Sequence, residues 1–223
     1  MEFSIKSALG FGWETFKKRP WFFIGATLVI LLAYIAVGAL TGLIDLALTG
    51  GDAENPSHLG SLLDWLIGTL ISMGVVAFYL HTHDNPAGVT LSQLWHPKPY
   101  LKYLAATILV GLTILLGLLL LIVPGIIFGL MFMFTSFIVI DRELGPIDAM
   151  KESKRITSGH KWPLLWFLLV LALINLAGAI ALVVGLLVTV PVTSLAFTHA
   201  YRVLAAKAGL ESVPVDAALK PIS

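Results

Sequence analysis

The chain contains no cysteine and little charge. Charged side chains make up 12% of its 223 residues, about half of the ~25% found in typical soluble domains. Without cysteine there are no disulfides, thiol nucleophiles or cysteine-ligated metal centres. With 58% hydrophobic residues, disordered chains and most soluble globular classes are also excluded, because so little polar surface cannot cover so much apolar side chain. The composition therefore predicts an integral membrane protein.

Catalytic motifs are absent as well. The sequence has no Gly-x-Ser-x-Gly nucleophile elbow and no Gly-x-x-x-x-Gly-Lys phosphate loop. The predicted spans contain no convergent titratable groups of the kind that acid–base chemistry needs. We therefore expect no enzyme activity, no cofactor and no nucleic-acid partner.

Apolar runs long enough to cross a bilayer occur along the whole chain. Two of them, 21–44 and 62–80, have the length of one crossing, which takes roughly 20 helical residues. Two others, 103–140 and 163–201, hold no charged residue over 38 and 39 positions. As continuous helices they would be nearly ~60 Å long, about twice the hydrocarbon core. Each is therefore predicted to fold back on itself.

The turning points are predicted from helix-breaking residues. Pro124 and Gly125 end one helix and permit a tight turn in the first long run. The second run is predicted to turn near Gly185. The resulting fold is all-α and polytopic, with six transmembrane helices in one domain over 1–223.

The basic residues support this topology. All fourteen lie in four segments, namely 1–19, 81–102, 141–161 and the tail from 202. Six spans with both termini inside place every one of them on the cytoplasmic side, as the positive-inside rule requires. We expect a bacterial cytoplasmic (inner) membrane protein. A cleavable signal peptide is not expected, because about twenty residues with helical patterning precede a long first span.

A basic, aromatic and proline signature marks the foot of each odd-numbered span. It reads Arg19-Pro20-Trp21, then Lys98-Pro99-Tyr100, then Lys161-Trp162-Pro163. Cations and aromatic rings suit the membrane interface, and proline is tolerated in a first helical turn. The pattern predicts three related hairpins, at about 21–80, 103–140 and 163–203, followed by a flexible tail at about 208–223.

A short amphipathic helix is predicted before each signature. The first carries apolar residues at helical spacing from Ile5 to Phe16, with Ser4 as N-cap. The third begins at Gly145-Pro146 and closes at Gly159. The stretch 92–95 is a weaker version. We expect these helices to lie on the cytoplasmic membrane surface.

Several motifs resemble a known group of bacterial proteins. They are Ile122-Val-Pro-Gly-Ile-Ile, Val139-Ile-Asp-Arg, Gly145-Pro-Ile-Asp-Ala-Met-Lys-Glu-Ser, Thr157-Ser-Gly-His-Lys-Trp, Gly12-Trp-Glu-Thr-Phe and Ala200-Tyr-Arg. The chain resembles six-span uncharacterised integral membrane families and the membrane domain attached to some glycerophosphoryl diester phosphodiesterases. The resemblance implies the six-span fold. It carries over no catalytic residue, because catalysis in that group belongs to a separate soluble barrel.

Polar residues within the spans are the first candidate sites. Asn175 lies thirteen residues past Trp162, about 20 Å along a helix. It is interpreted as an interhelical hydrogen-bonding residue, with a substrate contact as the alternative. A second polar group, Thr189, Thr193 and Ser194, surrounds Pro191. These hydroxyls are expected to satisfy carbonyls that proline frees, and a discontinuous helix lining a permeation path is the alternative.

Other polar residues lie at the predicted membrane boundaries. Asp45 and Asp64 are expected to be solvated or to cap helix ends, with a small extracytoplasmic site as the alternative. His81, His83 and His199 show no metal-ligand spacing. They are interpreted as interfacial side chains without a metal.

Two functions remain open. The first is a non-enzymatic membrane-organising protein whose cytoplasmic helices bind anionic lipid headgroups or another membrane protein, through Lys151, Lys154, Arg155 and Lys161. The second is a facilitator or transporter of a small or amphipathic solute. It is suggested by Pro124, Pro191 and the internal repeat.

Overall fold

The computed structural model describes residues 3–50, 58–95, 98–181 and 184–210. Within these ranges the chain is all-α, with nine α-helices and one short 3₁₀ helix. The helices are α1 (Ile5–Lys18), α2 (Pro20–Thr49), α3 (Leu59–Asp84), α4 (Tyr100–Leu120), α5 (Ile122–Phe132), α6 (Thr135–Arg142), α7 (Pro146–Thr157), α8 (Lys161–Ile180) and α9 (Leu186–Lys207), and the 3₁₀ helix covers Leu91–Leu94.

Five segments in the described ranges are long and apolar enough to cross a membrane. They are α2, α3, α4, the joined pair α5–α6 and α8. The protein is thus a helical chain with several membrane-compatible segments. The sixth predicted span, α9, is less apolar than these five, because its C-terminal half carries Thr198, His199 and Arg202.

The turn in the first long run lies earlier than the predicted Pro124-Gly125 pair. Helix α4 ends at Leu120, Leu121 adopts an extended backbone, and α5 begins at Ile122. Pro124 therefore sits in the first turn of α5, where its missing N–H costs no hydrogen bond. Gly125 is needed for another reason: a methyl group there would overlap Leu118. The two residues start and pack a helix and do not form the turn.

The second turn falls close to the predicted position. Helix α8 ends at Ile180, and Gly185 is the residue before α9. A methyl group on Gly185 would overlap the backbone of Gly178. Glycine is thus required where the two helices separate. Residues 182 and 183 lie outside the described part of the chain.

The three signatures occur at helix starts. Pro20 begins α2, Tyr100 begins α4 and Lys161 begins α8. Trp21 and Trp162 are largely exposed, as interfacial rings would be. Tyr100 differs, because its hydroxyl donates a hydrogen bond to the Leu66 carbonyl at 2.9 Å.

Helix α1 packs along α9 and buries one face there, so it does not lie apart on a lipid surface. The buried face comprises Ala8, Gly12, Thr15 and Phe16. At Gly12 the two backbones are so close that a methyl group would overlap the Val192 carbonyl. The helix begins after Ser4, as predicted, although the Ser4 side chain makes no capping bond.

Helix α7 begins at Pro146 after Gly145, and Gly159 follows its end with a positive φ of 77°. Its inner face packs against α4, α5 and α6. Ser153, fully buried, donates to the Met131 carbonyl at 2.8 Å and accepts from the Phe134 N–H at 3.3 Å. The apolar face of α7 is therefore covered by protein.

The connection between α3 and α4 runs back along α3. Arg19 fixes its first part by donating to the carbonyls of Ala87 and Val89, both at 3.1 Å. The 3₁₀ helix then places the Leu94 carbonyl against Gly74, ten residues before the end of α3. The weak helix predicted at 92–95 is this single 3₁₀ turn.

The predicted flexible tail begins too early. At 208–210 the chain is still packed, since Leu210 is buried and its N–H donates to the Ala205 carbonyl at 2.9 Å. The rest of that prediction, 211–223, lies outside the described residues.

Helix α9 forms the centre of the fold. Eleven of its residues are buried, and it contacts α1, α2, α3, α7 and α8. The main core cluster joins it to α3 and α6 through side chains such as Leu80, Phe134 and Tyr201.

Candidate functional site

A buried ion-pair network joins the C-terminal ends of three helices. Arg202 of α9 donates to Asp141 of α6 at 2.6 Å and to Asp84 of α3 at 2.5 Å. The side chains of Arg202 and Asp141 are 7% and 1% exposed, whereas Asp84 is 28% exposed. The network therefore reaches from the protein interior to solvent through Asp84.

Tyr201 completes the network from the apolar side. Its hydroxyl donates to the second carboxylate oxygen of Asp141 at 2.7 Å. Its ring packs against Phe134 and Phe137 at centroid distances of 5.7 and 5.4 Å. Both Asp141 oxygens are thus hydrogen-bonded, which is what makes a buried carboxylate tolerable.

The helix ends act differently on the charges of the network. Asp84 and Asp141 lie in the last turns of α3 and α6, where unpaired carbonyls create a negative potential. That potential favours the guanidinium of Arg202 and disfavours the two carboxylates, so the ion pairs themselves hold the network together. The Arg202 Nε is buried and has no hydrogen-bond partner in the described structure.

A histidine pair extends the network toward α1. The His83 Nε2 and the His199 Nδ1 are 3.1 Å apart, and the His83 Nδ1 lies 3.3 Å from an Asp84 oxygen. Phe11 covers the pair, stacking on His199 at a centroid distance of 4.5 Å. His81 lies elsewhere on α3 and contacts the Ala77 carbonyl. The described residues contain no group of three ligands that could hold a metal ion.

A cavity of about 690 Å³ adjoins the exposed side of the network. It is lined by His83, Asp84, Arg202, Ala205, Ala206, Gly209 and Leu210. We call it the outer cavity. Small residues on the last turns of α9 leave this space open.

Asn175 bridges α8 and α9, as its interpretation as an interhelical residue expects. Its Nδ2 donates to the Thr193 hydroxyl at 3.1 Å. Thr193 also lies 2.8 Å from the Thr189 carbonyl and 3.1 Å from that of Val190. One hydroxyl thus serves both helices.

The other residues around Pro191 behave differently from expectation. The Thr189 hydroxyl is buried and has no hydrogen-bond partner among the described residues, so it relieves no freed carbonyl. Ser194 hydrogen-bonds with the Tyr79 side chain. Helix α9 continues through Pro191 without a break, which rules out the discontinuous helix.

These residues surround a second cavity, of about 260 Å³, which we call the inner cavity. It lies among α3, α6, α8 and α9 and is lined by Val75, Val76, Tyr79, Phe137, Leu171, Asn175, Thr193, Ser194, Phe197 and Thr198. Its lining mixes apolar side chains with hydroxyls and one amide. None of the lining residues in the described part of the chain carries a charge.

The four residues predicted to contact headgroups are all exposed on the surface of the protein. Lys151, Lys154 and Arg155 form one exposed face of α7, and Lys161 is exposed at the start of α8. Two of them already have partners on α7: Lys151 with Asp148 at 3.0 Å and Arg155 with Glu152 at 2.7 Å. Within the described ranges Lys154 and Lys161 take part in no ion pair.

At the opposite end of the bundle, Asp45 caps a helix. Its carboxylate accepts a hydrogen bond from the Gly60 N–H, in the first turn of α3, at 2.8 Å. Asp45 and Asp64 share a cavity of about 320 Å³ with Thr41 and Ser61. Capping accounts for Asp45 without a ligand.

Sequence reasoning missed the ion-pair network. Asp84 and Asp141 lie just beyond the predicted spans and were assigned no role, and Arg202 entered only the count of basic residues. The sequence did contain a signal for the network. Two of the motifs that carry the resemblance, Val139-Ile-Asp-Arg and Ala200-Tyr-Arg, contact each other through Asp141, Tyr201 and Arg202.

Comparison with known proteins yields distant relatives. The chain is 26% identical over 233 aligned residues to the uncharacterized protein Rv2560 of Mycobacterium tuberculosis (strain ATCC 25618 / H37Rv), covering 95% of this chain and 71% of that protein. The same figures hold for the uncharacterized protein Mb2590 of Mycobacterium bovis (strain ATCC BAA-935 / AF2122/97). No family model and no solved structure matches. The resemblance to a phosphodiesterase-associated membrane domain gains no support from these comparisons, and the chain is similar to uncharacterised bacterial proteins.

Proposed function

We propose that this chain is a non-enzymatic, six-span protein of the bacterial cytoplasmic membrane, with both termini in the cytoplasm. Helix α9 is the sixth span, and α2–α3, α4–α5–α6 and α8–α9 are the three hairpins. Support comes from the distribution of the fourteen basic residues and from the convergence of the ends of α3, α6 and α9 on one network. Convergent ends belong on one side of the membrane.

The absence of cysteine makes the topology directly testable. Ser61→Cys and Ser158→Cys place single thiols at exposed positions on opposite sides of the proposed membrane. A membrane-impermeant maleimide added to intact cells whose outer membrane has been permeabilised will label Ser61→Cys and spare Ser158→Cys. Inverted membrane vesicles will give the reverse. Labelling of Ser158→Cys from the periplasmic side contradicts the topology.

The function that the site supports best is binding of anionic phospholipid headgroups at the cytoplasmic leaflet. The observation that carries it is the fixed cationic face of α7. The buried Ser153 and its bonds to Met131 and Phe134 hold the inner face of α7 on the bundle, so Lys151, Lys154 and Arg155 point outward together. Each cation near an anionic surface contributes about 1 kcal/mol. Asp148 and Glu152 offset part of this attraction, which leaves Lys154 and Lys161 as the main contacts.

Lipid exchange into nanodiscs tests this proposal with the full chain. We expect the protein to retain anionic phosphatidylglycerol over zwitterionic phosphatidylcholine, measured by native mass spectrometry of bound lipids. Lys154→Ala together with Lys161→Ala will reduce the preference. Glu152→Gln, which removes a counter-charge from the same helix, will increase it. Equal retention of both lipids by the unmodified protein overturns the proposal.

The inner cavity favours a second candidate function, passage of a small solute. Solid packing around Asn175 and Thr193 would exclude such a path. Instead, a space of about 260 Å³ lies beside these two residues, which is compatible with a path. Swelling of proteoliposomes in glycerol, followed by light scattering, tests this candidate. Swelling no faster than in protein-free liposomes removes it.

A further inference from the structure

The inner and outer cavities both lie between α3 and α9, and they are one helical turn apart along these helices. On α3, Tyr79 lines the inner cavity and His83 the outer. On α9, Thr198 lines the inner cavity and Arg202 the outer. A step of four residues is about 6 Å along a helix, so little more than one layer of side chains separates the two spaces.

The ion-pair network is that layer. On α6, Phe137 lines the inner cavity and Asp141, four residues later, accepts the hydrogen bond from Arg202. All three helices thus contribute a residue to the inner cavity and, one turn later, a residue to the network. Tyr201 lies between Asp141 and Phe137 and seals the layer on its apolar side.

The lining of the inner cavity defines the ligand that it can accept. A charged solute would lose its hydration and meet no countercharge among the lining residues, which is unfavourable. A polar uncharged solute would find donors and acceptors on Asn175, Ser194 and Tyr79. Within the described ranges the Asn175 amide bonds to Thr193 alone, so it retains hydrogen-bonding capacity.

The volume gives the scale of the ligand, in a space that is a partly open groove between helices. Since water occupies ~30 Å³ in the liquid, the space of about 260 Å³ equals about eight or nine waters. That is below the ~300 Å³ at which pockets for drug-sized molecules begin. A short polyol or a small amide fits.

We infer that the inner cavity is a binding site for a small, uncharged polar solute and that the Asp84–Arg202–Asp141 network closes it toward the outer cavity. This inference rests on the second candidate function, since a closed site matters only if solute enters it. Opening requires Arg202 to leave one carboxylate. Asp84 is the partner that gives way, because it is the more exposed of the two.

Thiol accessibility in inverted vesicles tests the closure, using the full chain and hydroxyethyl methanethiosulfonate, a small uncharged polar reagent of the class that the inner cavity accepts. Ala206→Cys reports the outer cavity, Ser194→Cys the inner cavity, and Ala200→Cys a buried position that lines neither. With the network intact we expect rapid labelling at 206 and protection at 194 and 200.

Asp84→Asn removes one charge from the network and keeps the side-chain shape. We expect it to raise labelling of Ser194→Cys about tenfold, which corresponds to about 1.4 kcal/mol, without raising that of Ala200→Cys. Labelling of Ser194→Cys that is already as fast as at 206, or that does not respond to Asp84→Asn, overturns the closure. If Ala200→Cys also becomes reactive, the variant has loosened the fold. The same criterion is then applied to Tyr201→Phe, which loses only one hydroxyl.

Glycerol flux into proteoliposomes tests the site itself. Thr193→Val and Asn175→Leu remove polar groups from the cavity and should slow swelling. Thr113→Val is the matched control and should leave flux unchanged, because among the described residues the Thr113 hydroxyl bonds only to the Leu109 carbonyl of its own helix. Glycerol flux that is equal in all variants and in the unmodified protein would contradict a binding site in the inner cavity. It would leave the proposal that the protein passes solute intact. Absence of flux in the unmodified protein removes the solute path, whereas the thiol pattern reports closure independently.

Discussion

The two ends of the helix bundle are built on different physical principles. The network end comprises the last turns of α3, α6 and α9 together with α1 and α7. The turn end comprises the chain reversal at Leu121 and the neighbouring ends of α8 at Ile180 and α9 at Leu186. Large aliphatic side chains at the network end, such as Leu80 and Leu204, are almost fully buried. At the turn end, Leu119 and Ile180 are 74% and 76% exposed.

The difference shows where each end obtains its stability. At the turn end, exposed aliphatic side chains require lipid as their solvent, and helices associate there through close contacts such as Gly117 with Gly125. At the network end, side chains are packed by other protein segments, and charged groups are neutralised by one another. The most apolar of the five spans, α2, is therefore the least buried of them, and the less apolar α9 has more buried residues than any other helix in the described ranges.

Removal of Arg202 should have the largest effect on this comparison. Arg202→Ala leaves Asp84 and Asp141 facing each other without a cation, and we expect a loss of about 3–5 kcal/mol in the free energy of unfolding. Thermal and denaturant unfolding of the detergent-solubilised protein measures it. Arg155→Ala, on an exposed pair with Glu152, should cost about 0–1 kcal/mol. Similar losses for both variants would mean that the network end is not held by its buried charges.

Truncation of leucine at each end compares their packing directly. Leu204→Ala, at an almost fully buried position in the last turns of α9, should cost about 2–5 kcal/mol through lost contacts and a cavity. Leu119→Ala at the turn end should change the free energy of unfolding by less than about 0.5 kcal/mol, because detergent or lipid refills the space. The same unfolding assay applies. A larger loss at Leu119 would reverse the comparison.

Two glycines in α1 sharpen the account of the network end. A methyl group at Gly12 overlaps α9, whereas one at Gly10 meets no atom within 4 Å. Gly12→Ala should therefore destabilise the protein by about 1–3 kcal/mol. Gly10→Ala should stabilise it by up to about 1 kcal/mol, since alanine favours a helix interior over glycine. Equal effects at both positions would show that α1 does not pack tightly on α9.

The smallest expected effect concerns the polar contact between α8 and α9. A double-mutant cycle with Asn175→Leu and Thr193→Val should give a coupling energy of about 0.6 kcal/mol, typical of hydrogen bonds between membrane helices. It lies well below the cost expected for Arg202. A coupling energy of zero would leave the Asn175–Thr193 contact without a role in joining the helices.

Local signals in the sequence predicted most helix boundaries. Proline and glycine at 145–146 and the signature at Pro20 mark helix starts because their preferences act within one turn. The turn at Leu121 was placed three residues late. Proline was read as a breaker there, although it is equally suited to a first turn, and only the packing of Gly117 against Gly125 decides between the two.

The candidate sites divide in a similar way. Asn175 stood out because an amide within an apolar run needs a partner, but the identity of that partner, Thr193, required the fold. The prediction that α1 and α7 lie on the membrane surface did not include the contacts that bury one face of each helix against other helices, because those contacts are tertiary. An amphipathic pattern states that one face is covered and does not state whether lipid or protein covers it.

By itself, the sequence determined the all-α class of this protein and the segments that are apolar enough to span a membrane, because these follow from composition and from local preferences along the chain. Only the tertiary structure decided that Asp84, Asp141 and Arg202 meet. Their separation in the chain is 118 residues at its widest, and no local rule links positions so far apart. Their burial depends on three helices ending at one place, which is a property of the packed fold.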